Sequence, residues 1–228
     1  MAILLFVVKF ASDALAAAFG AFSGAFMAFY LESKRRMRRR SEERYHAVIR
    51  AQTALFLMTR RLVQLRSKHL RTPDKQPIPS NSLPHIWISP SPIQIDIPSV
   101  TFLFRRDYRS ILANLAVAEA AYLNAVDALL VRNTLWKEVT RTNVAAYNPN
   151  TKAALIDANP VDLALLDGAT AALHKAVDSG IKQCTATYLD LREAALVEFP
   201  LGTPDRGLMT AENITEEALI ANTRDSEM

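Results

Sequence analysis

Between Ala14 and Leu31 the chain runs for 18 residues without a charge, ALAAAFGAFSGAFMAFYL, and Lys34, Arg35, Arg36, Arg38, Arg39 and Arg40 follow directly. As a helix this run measures roughly 27 Å, close to the hydrocarbon thickness of a bilayer. The basic cluster marks the side held in the cytoplasm. The sequence therefore predicts a retained single-pass anchor with the bulk of the chain cytoplasmic. A cleaved signal peptide has the reverse order, with its positive residues ahead of the apolar stretch. A soluble helix is the competing reading, because alanine, the commonest residue of the run, contributes little transfer energy.

The anchor also has a face. Lys9, Asp13, Ala17, Gly20, Gly24 and Ala28 follow at steps of three or four and line one side of a helix. Gly20 and Gly24 form a GxxxG pair, a spacing at which small residues let two backbones approach closely in lipid. Phe19, Phe22, Phe26 and Phe29 fall largely off that stripe. The expectation is helix–helix association through the small face. Lys9 and Asp13 can pair across one turn. They either snorkel at the outer interface or mark a polar seam inside the membrane.

Charge divides the chain sharply. Residues 34–71 hold 13 basic and 2 acidic side chains, whereas 72–228 hold 13 basic and 19 acidic ones. A basic block beside a span suits anionic lipid; nucleic acid is the alternative target for the same charge. The single cysteine, Cys184, excludes an internal disulfide framework and a multi-cysteine zinc site. It falls on an apolar helical stripe and reads as a buried thiol.

Beyond the anchor (1–33) the chain reads as a basic juxtamembrane helix (34–72), a Pro-rich extended connector (73–100), a helical hairpin (101–199) and an acidic tail (200–228). In the first helix Val48, Leu55 and Leu62 lie seven apart, with Ala51, Met58 and Leu65 between them, a heptad pattern. Ile49, Phe56 and Val63 broaden that stripe toward bundle packing. No Pro or Gly separates this helix from the anchor, so one continuous helix is expected. Seven of the 11 prolines lie between Pro73 and Pro98 and exclude helix there. The connector either packs its isoleucines on the bundle or, from His85 to Ile97, forms a short β-hairpin or edge-pairing arm.

Helical period returns from about Thr101 to Ala146, through Tyr108, Leu112, Leu115, Tyr122, Val126, Leu129 and Trp136. Glu119 and Asn133 interrupt this face and read as polar core residues that fix register or oligomer state. Tyr147-Asn148-Pro149-Asn150 breaks the helix. Asn159-Pro160-Val161-Asp162 starts the last one, with Asn as N-cap and Pro at the first helical position. Its stripe runs from Leu163 through Leu166, Thr170, Leu173, Val177, Ile181, Cys184, Tyr188, Leu191 and Ala195 to Phe199, and Pro200 ends it. One short helix is expected in the tail, around Ala211 to Ala221. The fold class is all-α: a transmembrane helix plus a cytoplasmic three-helix bundle.

Catalytic chemistry is not legible. His46, His69, His85 and His174 are scattered, no metal-ligand spacing stands out, and glycine-rich phosphate loops are missing. No cofactor is expected. The dense cluster Arg105-Arg106-Asp107-Tyr108-Arg109 could hold an anion through Arg105, Arg106 and Arg109 or close a bundle end by salt bridges. The sequence thus points to a non-enzymatic, membrane-anchored homo-oligomer that docks a protein partner beside membrane lipids. Two alternatives stay open: an effector, toxin-like or anti-phage, that oligomerises to depolarise the membrane, and a basic helix that binds nucleic acid.

Overall fold

The computed structural model describes residues 2–71, 76–78, 80, 83, 85–86, 93–105, 108–148, 153–156 and 159–199; for 2–18, 104–105, 142–148 and 153–156 it describes the backbone alone. The chain divides into two compact units, Met1–His46 and Ala47–Met228. Helix α1 spans Ala2–Leu65. This continuity follows from the sequence, since Gly20 and Gly24 are the only glycines in it and proline does not occur before Pro73.

The first unit is the N-terminal part of α1. Every residue from Phe19 to Leu31 is exposed, including Phe19 at 74 % and Phe29 at 72 %. A Cβ added at Gly20 or Gly24 would meet no atom within 4 Å.

The second unit is a helical bundle. It is built from α1 beyond Ala47, α2 (Arg109–Asn143) and α3 (Pro160–Glu198). The heptad residues Val48, Ala51, Leu55, Met58, Leu62 and Leu65 are all buried in one core cluster, as the sequence predicts. Contacts fix the directions. Asn114 Nδ2 donates to Asp190 Oδ2 at 3.2 Å, and Cys184 Sγ donates to the Ala118 carbonyl at 3.6 Å, so α2 and α3 are antiparallel. Arg66 meets Asp178 at 3.0 Å, Leu62 meets Gly180, and Arg61 donates to the Tyr122 hydroxyl at 3.2 Å. Hence α1 runs parallel to α2, and the connector must travel back along the bundle to join them.

Gly180 is where this packing is closest. A Cβ there would lie 2.7 Å from Leu62 Cδ1 and 3.4 Å from the Ala121 carbonyl oxygen. What reads in the sequence as a weak point in α3 is the contact that lets three helices meet.

After α1 the chain makes a π-helical turn, Arg66–Leu70, and reverses. Arg71 bridges to Pro77, and Ile78 N–H donates to the Leu70 carbonyl at 3.0 Å. The connector then ends in a 3-10 helix, Ile97–Arg105. Leu83, Ile86, Ile95, Val100 and Leu103 are buried in the same core as the helices. This supports the packing reading. The β-hairpin expected over 85–97 is corrected: among the described residues of that segment none is a strand.

Two elements differ from expectation at the far end of α2. The helix stops at Asn143, before Ala146, and Val144–Asn148 (β1) pairs antiparallel with Ala153–Ile156 (β2). Register runs Val144↔Ile156 and Tyr147↔Ala154, with an irregularity between Val144 and Ala146. Pro149 explains the change of state, because a residue preceding proline is pushed out of the helical region and Asn148 is thus extended. The last helix starts and ends as predicted. Asn159 Oδ1 accepts from Val161 N–H at 3.1 Å, and Phe199 N–H closes the C-terminus on the Ala195 carbonyl. The expected tail helix around 211–221 lies outside the described residues.

Candidate functional site

Two features stand apart from ordinary packing: the bare helix of the first unit, and the strap that crosses the second.

On the bare helix, Gly20, Gly24 and Ala28 of the predicted association face are exposed, whereas Lys9, Asp13 and Ala17 are helical with side chains outside the description. At about 100° per residue, Phe19, Phe22, Phe26 and Phe29 fall within roughly an 80° sector, and Gly20, Gly24 and Ala28 lie on the other side. Lys34, Arg35, Arg36, Arg38, Arg39 and Arg40 are exposed as well. Arg36 Nε donates to Glu32 Oε1 at 3.0 Å across one turn. A pair this open to water adds little stability.

The strap is held by α2. Asn133 clamps Ile86 twice: its Oδ1 accepts from Ile86 N–H at 3.2 Å and its Nδ2 donates to the Ile86 carbonyl at 2.8 Å. Its carboxamide thus takes the place of a neighbouring strand. Glu119 Oε1 accepts from Ile95 N–H at 3.4 Å. Arg132, wholly buried, donates to the carbonyls of Ser80 and Leu83 and stacks over Trp136 at 4.9 Å. Ser80 Oγ bonds the Asp167 carboxylate, tying the strap to α3. Glu119 and Asn133 are about 21 Å apart along α2, and the chain from Ile86 to Ile95 can reach about 30 Å when extended. The two anchor points, Ile86 and Ile95, therefore lie in descending order along α2. The two polar residues of the α2 stripe do have a structural role, but it is to hold the connector within the chain.

Sequence reasoning passed over Arg132, since a charged side chain reads by default as solvated. Its spacing four residues before Trp136, on one helical face, was the available signal. The buried face of α2 is also broader than the predicted stripe, of which Leu115, Tyr122, Leu129 and Asn133 are buried. Ile111, Ala118, Ala125 and Arg132 are buried, while Leu112 and Val126 are only partly so. The small side chains of Ala118 and Ala125 admit α3 closely.

The predicted arginine cluster lies mostly outside the described side chains. Arg105 ends the 3-10 helix, Arg109 opens α2 as an exposed residue, and Arg106 lies outside the description. Among the described residues, no group of three or more His, Cys, Asp or Glu gathers in a metal-holding arrangement. Near the reversal after α1, Asp178 faces Arg66 at 3.0 Å and Arg71 at 3.7 Å. His174 stands beside it. Burial holds its imidazole below the usual histidine range, against the opposing pull of Asp178 and a bond to the Ile78 backbone.

Cys184 is buried on α3, and burial pushes its thiol up to about 12. The thiolate is the reactive form, so this cysteine should stay unmodified by a thiol-specific disulfide reagent in native protein. Full labelling is expected only after denaturant exposes it; stoichiometric labelling of folded protein at neutral pH would contradict the packing described.

Among the described residues one helix is long and apolar enough to cross a membrane by length and composition: Arg109–Arg141, with a stretch of mean hydropathy 1.3 inside it. That segment is α2, the bundle helix that carries the strap. Compared with protein families, curated proteins and solved structures, the chain matches none.

Proposed function

We propose that the protein is a single-pass membrane anchor for a helical bundle, that it self-associates, and that it docks a soluble partner on the cytoplasmic face. The observation that carries this reading is the unbroken exposure of the apolar helix from Phe19 to Leu31, with charged residues beginning at Glu32. Contiguous apolar surface of this kind does not stay bare in water. A helix surrounded by lipid satisfies both its side chains and its backbone. Self-association is supported by the separation of aromatic and small residues around that helix. The small face offers close backbone contact, the main source of helix pairing in lipid. The partner surface is supported by the bundle's own exposed apolar residues, among them Val117, Leu130 and Val131 on α2 and Val161 and Leu165 on α3. The bundle carries such a surface on a core that Leu83, Ile86 and Ile95 of the connector help to fill.

The test combines fractionation with crosslinking of full-length protein. Wild type should remain in the membrane fraction and crosslink as an oligomer. Replacing Gly20 and Gly24 together by Ile puts branched side chains where backbones meet. Insertion should survive, because Ile is at least as apolar as Gly, while crosslinking should fall by several-fold. Crosslinking equal to wild type would move assembly to the bundle. A wild-type chain found wholly in the soluble fraction would end the anchoring reading.

A further inference from the structure

We propose that Lys34, Arg35, Arg36, Arg38, Arg39 and Arg40 form a basic collar around about two thirds of α1 that selects anionic phospholipid headgroups. This rests on the reading of Ala14–Leu31 as a span and deepens it by naming the lipid class. The argument begins with direction around the helix. At about 100° per residue these six side chains point to roughly 0°, 40°, 100°, 140°, 200° and 240°. Met37, exposed at 65 %, occupies the remaining sector. A nucleic acid reads a helix along the face laid in its groove. A collar spread over about 240° instead fits an environment that surrounds the helix, which a bilayer surface does, and Met37 is the apolar exception.

Depth agrees with direction. Lys34 lies about 4.5 Å and Arg40 about 13.5 Å beyond Leu31 along the axis. The headgroup layer is roughly 5–7 Å thick on each side. Side chains on a helix tilt toward its N-terminus, which here is toward the hydrocarbon. Long Arg and Lys side chains from the second turn of the cluster thus reach back to the phosphate level, their stems covering apolar surface. Three carboxylates flank the collar, Glu32 before it and Glu42 and Glu43 after it, and Glu32 is engaged by Arg36 at 3.0 Å. Lys34, Arg35, Arg38, Arg39 and Arg40 have no ion-pair partner among the described residues. Six cations against three flanking carboxylates leave a net positive collar at the depth where lipid phosphates lie.

The experiment uses full-length protein in phosphatidylcholine bilayers carrying trace spin-labelled lipid, with the motionally restricted fraction read by electron paramagnetic resonance. Labelled phosphatidylglycerol should be restricted several-fold more than labelled phosphatidylcholine. The difference should shrink at 1 M salt, where the screening length drops to about 3 Å. It should vanish in the variant carrying Lys34→Gln, Arg35→Gln, Arg38→Gln, Arg39→Gln and Arg40→Gln, which keeps the restricted fraction of neutral lipid. Equal restriction of both labels by wild type overturns the collar but leaves the span intact. No restricted lipid of either kind removes the span and the collar together. Equal restriction accompanied by tight binding of a duplex oligonucleotide in neutral bilayers would assign the charge to nucleic acid instead.

Discussion

Replacing Arg132 by alanine is expected to destabilise the bundle by about 3 kcal/mol or more, from lost charge-assisted bonds and the cavity left behind. The side chain is wholly buried and serves two carbonyls, those of Ser80 and Leu83, while stacking on Trp136. Alanine removes the donors and leaves both acceptors in the interior. Arg132→Met restores volume without donors, so it should recover part of the loss. Arg132→Lys keeps the charge but not the planar fork, and is expected to fall between alanine and wild type. Urea unfolding followed by tryptophan fluorescence measures this, with Trp136 reporting from the site itself. An alanine variant as stable as wild type would mean that the strap is held by its apolar residues alone. The same measurement on Asn133→Leu separates the two clamps, because Asn133 serves a single residue, Ile86.

The contrast between Arg132 and the heptads shows what the sequence can convey here. The stripe from Val48 to Leu65 and the cap at Asn159 were legible because each depends on neighbours within a turn or two. Helical periodicity and capping chemistry are local properties. The strap was legible only as a proline-rich stretch with buried isoleucines. Its path depends on which side chains of a helix far along the chain present an amide, a carboxylate or a guanidinium to its backbone. That information is spread over three residues of α2 whose identities suggest solvent or register. Gly180 fails in the same way: its meaning lies in Leu62 and Ala121, more than fifty residues away. The β1–β2 ladder was missed for a different reason. Val144 to Tyr147 continues an apolar helical pattern, and only Pro149 argues against helix.

The bare face of α1 poses the opposite problem, since Phe19 to Leu31 are all exposed. A margin can be drawn from insertion energies. Four Phe and two Leu between Ala14 and Leu31, at about 0.3–0.6 kcal/mol each, favour insertion by roughly 2–4 kcal/mol, and alanine and glycine add little. One central arginine costs about 2.5–3.5 kcal/mol, so it nearly cancels that gain. Two exceed it. Ala21→Arg combined with Ala25→Arg is therefore expected to convert the protein from resistance to alkaline carbonate extraction to full release. Both sites are exposed, so the bundle should fold as before, and its urea transition supplies the control. Ala21→Leu with Ala25→Leu should leave extraction unchanged. Release of the double-arginine variant would locate the membrane interaction in this run. Continued resistance would shift attention to α2, which contains a stretch of mean hydropathy 1.3. That outcome would require α2 to leave α3 and abandon Arg132, Asn133 and Glu119 as clamps. The carbonate experiment therefore also tests whether the strapped bundle is the state of the protein at the membrane.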